Sequence, residues 1–253
     1  GFDEAAGTAW ALDGATDVTD LRPFPDAESG AAWIAEALSA CLMLPPAPDE
    51  TPEAYFAKVL TDARARAETS TRIPLDDLPG EARPIASGMW IHVANNQAVF
   101  AWLGDCMALL RRGGAVTVIG SPGKAEDETV TARRLLAVSP EERLARLQND
   151  RRRSNGNRTS FGLDPRAATN LQTQDVVLEE GDTICLMSDG LYRLISPYGT
   201  HTPERFMELI EGKGLSGAVA ALRAFEDTPA RDMSRLKARD DACGVLLRIK
   251  DAG

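Results

Sequence analysis

Three apolar runs in this chain stop abruptly at an aspartate beside a glycine: Trp10-Ala11-Leu12-Asp13-Gly14, Trp102-Leu103-Gly104-Asp105 and Leu186-Met187-Ser188-Asp189-Gly190. A fourth acidic pair, Asp240-Asp241, stands immediately before the last apolar run. Taken singly, Asp-Gly is ordinary turn chemistry, because Asp bonds its local backbone and Gly accepts positive φ. Taken together, the pieces ask for more. If the runs are neighbouring strands, their carboxylates converge on one rim, where like charges raise each other's pKa unless a cation holds them ionised. Oxygen ligands without His or Cys nearby select a hard cation, so Mg2+ or Mn2+ fits better than zinc. The chain has only two histidines, and Cys41, Cys106, Cys185 and Cys243 lie far apart in apolar stretches with no Cys-x-x-Cys pair. They read as buried free thiols.

Other features carry weaker chemistry. Gly120-Ser121-Pro122-Gly123-Lys124-Ala125 echoes a phosphate loop but lacks the Ser/Thr after Lys, so it reads as a turn. His92 sits within an apolar strand pattern, as a packed or surface residue rather than a ligand. Arg143, Arg146, Arg151, Arg152, Arg153, Arg158 and Arg166 form a basic run, whose default reading is a solvated helix face. The functional alternative is a mobile flap, around residues 139–170, in which Arg151, Arg152 and Arg153 meet an acidic phosphoprotein.

The elements that must position these residues follow from periodicity. A short strand over Thr8–Leu12 precedes two helices: Trp33, Ile34, Ala37, Leu38, Cys41 and Leu42 recur at helical spacing, and Thr51-Pro52-Glu53 opens the second. From Pro84 the pattern turns to strands at Ile85–Ala94, Gln97–Leu103, Met107–Arg111 and Ala115–Ile119, separated by Asn-Asn, Gly-Asp and Gly-Gly, a meander of antiparallel hairpins. Ser139-Pro140-Glu141-Glu142 is a capping box that starts the Arg-rich helix. Strands return at Asp175–Leu178 and Thr183–Met187, then helices near Pro203–Glu211 and Ser216–Phe225, then a last strand over Ala242–Ile249. Helices set between runs of antiparallel strands predict an α+β fold of two stacked sheets with helices outside, not a Rossmann-type parallel sheet. No linker divides the 253 residues, so 1–253 reads as a single domain.

Composition excludes several classes. Lys and Arg number 28 against 38 Asp and Glu, giving a net charge of −10. With a pI near 4.8 the surface repels nucleic acid and anionic membrane. No apolar run approaches the roughly 18 residues of a membrane span, and Gly1-Phe2-Asp3-Glu4 lacks the regions of a signal peptide, so a cytoplasmic location is expected.

In order and context, Asp13-Gly14, Gly104-Asp105, the block Glu180-Gly181-Asp182 through Ser188-Asp189-Gly190-Leu191, and Arg239-Asp240-Asp241-Ala242 resemble the motifs of the metal-dependent protein phosphatases of the 2C family. The resemblance runs from Asp3 to Ile249 and implies a four-layer α-β-β-α sandwich of two mainly antiparallel sheets flanked by helix pairs. It implies two Mn2+ or Mg2+ ions per chain and hydrolysis of phosphoserine or phosphothreonine in a protein substrate by a two-metal-activated water, with no side-chain nucleophile. By the same resemblance, Asp13 bridges both ions, Gly14 offers its carbonyl, Asp189 and Asp240 hold one ion, Asp105 serves a weaker third, and Glu4 of the Asp3-Glu4 pair orders metal-bound water. Two positions depart from the family pattern. Ala15 stands where eukaryotic members often have His, and Arg193 stands where another Asp is common, which places a cation beside Asp105. The rival function is a binding module that keeps the fold and holds a phosphoprotein or regulatory partner.

Overall fold

The structure, a computed structural model, describes residues 1–121, 123–228, 239 and 241–250. In chain order its elements are β1 (Phe2–Asp3), β2 (Thr8–Gly14), α1 (Gly30–Leu42), α2 (Pro52–Ser70), β3 (Ala86–Ala94), β4 (Gln97–Leu103), β5 (Met107–Arg112), β6 (Ala115–Ile119), α3 (Gly123–Leu136), α4 (Pro140–Asn157), β7 (Gln172–Val177), β8 (Thr183–Met187), α5 (Asp189–Tyr192), α6 (Pro203–Glu226) and β9 (Gly244–Arg248). Short 3-10 turns cover Gly80–Ala82 and Pro165–Asn170.

Two antiparallel sheets form the centre, one ordered β1-β2-β3-β4-β7 and the other β6-β5-β8-β9. Alternation along the strands decides what each layer holds. On β2, Ala9 and Ala11 face the second sheet while Trp10 points out to α1 and α2. On β5, Ala108 and Leu110 point inward, whereas Met107 and Leu109 meet α5 and α6. Three buried layers result: helices α1 and α2 on the first sheet around Trp90 and Phe56, sheet on sheet around Ile91, Phe100 and Ile184, and α6 on the second sheet around Phe206 and Leu222. The expected α-β-β-α sandwich is the observed one.

Helix starts follow their caps. The side chains of Ser29, Thr51, Ser139 and Thr202 each accept a backbone N–H of the first turn of α1, α2, α4 and α6. The two expected C-terminal helices are both present within α6, meeting at a kink at Gly214, whose φ of 70 and ψ of 176 are non-helical. The turn expected at Gly120–Ala125 is corrected: helix α3 begins within it, at Gly123. The strand expected at Asp175–Leu178 starts three residues earlier, at Gln172. Among the described residues, no helix is long and apolar enough to cross a membrane.

Candidate active site

The strand ends do bring the Asp-Gly pieces together. Asp13 closes β2 opposite Ser87 of β3. The Ser87 hydroxyl accepts the N–H of Asp105 at 2.7 Å and of Cys106 at 2.8 Å, holding the β4–β5 turn beside Asp13. Gly104 takes φ +92 in that turn, and a Cβ there would stand 2.4 Å from Ser87 Oγ. Ser87 is thus a positioning residue that sequence reading passed over, since a lone serine in an apolar strand carries no signal. The third aspartate arrives through the second sheet. Met107 pairs with Met187 in the antiparallel ladder between β5 and β8, so Asp105 and Asp189 both lie just beyond the same end of that ladder.

Gly14 has a packing reason independent of any ion. A Cβ on it would stand 2.2 Å from the carbonyl oxygen of Ala31, so only glycine lets the first turn of α1 pass this close to the strand. Asp13, Gly14, Asp105 and Asp189 line one cleft of about 330 Å³, with Ala15, Thr16, Ile85, Ser87, Gly104, Thr159 and Ser160.

The C-terminal acidic segment is tied to this rim by its neighbour. Ser188 donates its backbone N–H to Cys243 O at 3.1 Å, and Cys243 returns its N–H to Ser188 Oγ at 3.1 Å. Cys243 Sγ also reaches Leu12 O at 3.4 Å, one residue before Asp13. Asp240 itself lies outside the described residues.

Arg193 follows α5 with its side chain largely buried, and its Nη2 stands 3.8 Å from Asp189 Oδ2. Among the described residues the carboxylate that Arg193 is shown to approach is that of Asp189 rather than Asp105, since the i,i+4 spacing of one helical turn sets the two on the same face.

Two expectations need correction. Glu4 is not brought to the acidic rim. In the β1–β2 hairpin Asp3 pairs with Thr8, so Glu4 sits in the turn at one end of β2 while Asp13 closes the other. At about 3.3 Å per residue the five steps from Thr8 to Asp13 span roughly 16 Å. Nor do Arg151, Arg152 and Arg153 form one exposed patch, since successive residues of a helix point about 100° apart. Arg151 is only 6% exposed. Its Nη2 donates to Ala15 O at 3.1 Å and to Thr16 O at 2.8 Å, clamping α4 to the chain that follows Asp13. Burial lowers its pKa, opposed by the charge of Asp17. Arg152 pairs with Glu81 at 3.0 Å, and Arg153 is exposed.

Desolvation raises the pKa of all four thiols. Burial pushes Cys106 well above the usual thiol range, and Cys185 up to about 12. Cys243, expected to be buried, is exposed in the segment before β9, and desolvation still raises its pKa. Burial likewise lowers the pKa of His92, which stands against Trp90 at a ring separation of 5.9 Å. Among the described residues, no three His, Cys, Asp or Glu side chains gather as a ready ion-binding group. The donor set that lines the cleft, carboxylates and carbonyl oxygens without imidazole, has the chemistry of a hard-cation site.

The sequence profile of protein phosphatase 2C matches residues 2–225, and the chain belongs to that family. Among solved structures, the serine/threonine phosphatase PstP/Ppp of Mycobacterium tuberculosis is similar at TM-score 0.51 and 16% identity, over 96% of this chain and 99% of that one. A bacterial serine phosphatase carrying a point mutation is similar at TM-score 0.51 and 13% identity, over 95% of this chain and 84% of that one. A comparison with curated proteins returns no match.

Proposed function

We propose that this chain is a metal-dependent phosphatase that removes phosphate from serine or threonine of a protein partner. The observation that carries the reading is the meeting of Asp13, Asp105 and Asp189 on one cleft from three separate strand ends. Asp13, the Gly14 carbonyl, Asp189 and Asp240 would hold two Mn2+ or Mg2+ ions, with Asp105 a weaker ligand. When bound, such ions supply charge neutralisation for phosphate and lower the pKa of a coordinated water. The chain's own residues fix the stage. Ser87 orients Asp105, Cys243 ties the C-terminal segment to Ser188, and Arg151 fixes the chain after Asp13. Thr159 and Ser160, whose hydroxyls each meet Ser154 Oγ at 3.0 Å, also line the cleft and would be the hydroxyl groups available to a phosphate there. Ala15 provides no proton donor.

One observation favours the rival, a phosphoprotein-binding module: Arg193 already places positive charge 3.8 Å from Asp189. Hydrolysis of an aryl phosphate with and without manganese, followed by a phosphothreonine peptide, decides between them. Manganese-dependent turnover of both supports the enzyme. Peptide binding without turnover at any manganese concentration supports the module.

A further inference from the structure

Beside the acidic cleft lies a larger cavity, of about 460 Å³, lined by residues of α2, of the two 3-10 turn regions and of the end of α4. Five arginines line it, Arg64, Arg83, Arg152, Arg158 and Arg166, against two aspartates, Asp76 and Asp164. We infer that this cavity is an anion site for a phosphate-type group, distinct from the acidic cleft.

In a chain of net charge −10, five guanidinium groups around one concavity are a local reversal of sign. Their pairing leaves donors over. Arg158 and Arg166 share the single carboxylate of Asp164, at 2.8 and 2.9 Å. Arg64 takes Glu68 and Asp76, and Arg152 takes Glu81, all across exposed or half-exposed contacts that contribute little in water. Among the described residues Arg83 meets no carboxylate: its Nε donates to Leu78 O at 3.1 Å, leaving the outer nitrogens of its fork for a ligand. Leu75 and Leu163, both buried, give the cavity apolar wall, which strengthens charge-assisted hydrogen bonds. Planar forks arriving from several elements suit the oxygens of a phosphate group.

Position relates this cavity to the cleft. Arg158 lines the cavity and Thr159 the cleft; Arg83 lines the cavity and Ile85 the cleft. Two extended residues span about 7 Å, so the sites are near enough for one peptide to enter both. The anion has two possible sources with the same chemistry: a second phosphate on the substrate, a few residues from the one removed, or a free small phosphate. The first source rests on the phosphatase reading; the second does not.

The test therefore has two arms. Protein stripped of metal on a chelating resin is titrated with pyrophosphate in a calorimeter, in phosphate-free buffer. Binding is expected, weakened about tenfold in Arg83→Gln and kept in Arg83→Lys, as for the loss of one charged hydrogen bond. Arg64→Gln repeats the measurement should Arg83→Gln show a disturbed melting curve. In the second arm, kcat/KM is compared for singly and doubly phosphorylated peptides. Preference for the doubly phosphorylated peptide that vanishes in Arg83→Gln assigns the substrate as the source, and pyrophosphate binding without that preference assigns a free phosphate. Absence of both pyrophosphate binding and peptide preference overturns the inference, as does pyrophosphate binding unaffected by both Gln variants. Absence of turnover alone would count against the phosphatase reading and leave the calorimetric result standing.

Discussion

Ser188 and Cys243 exchange two hydrogen bonds across 55 residues of sequence, each 3.1 Å long, one through the Ser188 backbone and one through its hydroxyl. They couple the strand end bearing Asp189 to the segment bearing Asp241. Ser188 is 1% exposed, so its side of this exchange is shielded from solvent. Ser188→Ala leaves the Cys243 N–H without its acceptor and should cost about 1–2 kcal/mol. Denaturant melts should show that loss, and metal-dependent turnover should fall by more than stability alone explains.

Asp189→Asn keeps shape and removes charge. Turnover should drop about a hundredfold or more, as for loss of a preorganised electrostatic group, while the protein stays folded. Circular dichroism and aryl phosphate hydrolysis under saturating manganese measure the two together. Retained turnover would refute the ligand role.

Arg151→Met removes a buried clamp rather than a surface charge. The carbonyls of Ala15 and Thr16 lose their charged donor, at a cost of about 2–3 kcal/mol. Turnover of aryl phosphate and phosphopeptide should fall alike, with no dependence on ionic strength. Arg153→Gln, at an exposed site, should change only the salt-sensitive part of protein-substrate kinetics.

Gly14→Ala would drive a methyl group onto the backbone of Ala31, with 2.2 Å to its oxygen. Backbone cannot rotate aside as a side chain can, so the loss should reach about 3 kcal/mol or more. Thermal melting of the metal-free protein checks this without reference to activity.

Asp164 carries a pH prediction. The Arg166 guanidinium, then Arg158, hold its carboxyl well below the usual carboxylate range. Because the folded pKa lies below the unfolded value of about 4, the stabilisation is complete above that value and fades as pH falls through and below it. Asp164→Asn should therefore be less stable than the parent by about 1 kcal/mol at pH 7, after discounting for solvent screening. The gap should narrow below about pH 4, as denaturant titrations at both pH values would show.

Strands were legible where apolar runs met strong turn dipeptides: Gln97–Leu103 and Thr183–Met187 appear with the expected bounds. Asp13, Asp105 and Asp189 were legible for the same reason, since each ends such a run. Arg151 was not, because a run of three arginines looks solvated until tertiary packing selects one of them for burial. The hairpin register that sends Glu4 away from Asp13 depends on a two-residue strand, too short to show a period. Helix α3 was hidden by a Gly-Ser-Pro-Gly opening that reads as turn chemistry.

Outside the regular sheets, Ala86 and Phe161 form an isolated bridge, with Phe161 N–H to Ala86 O at 2.9 Å and Ala86 N–H to Phe161 O at 2.8 Å. Phe161 is also stacked on Phe56 at a ring separation of 5.1 Å. This bridge welds the chain just beyond α4 to the edge of the central strand β3. The C-terminal half of α4 is thereby anchored both by this bridge just beyond it and by Arg151, whereas its first turns are tied through Arg143 to Leu135 O. Amide hydrogen exchange should record that difference in anchoring, slow at Ala86 and Phe161 and faster toward the first turn of α4.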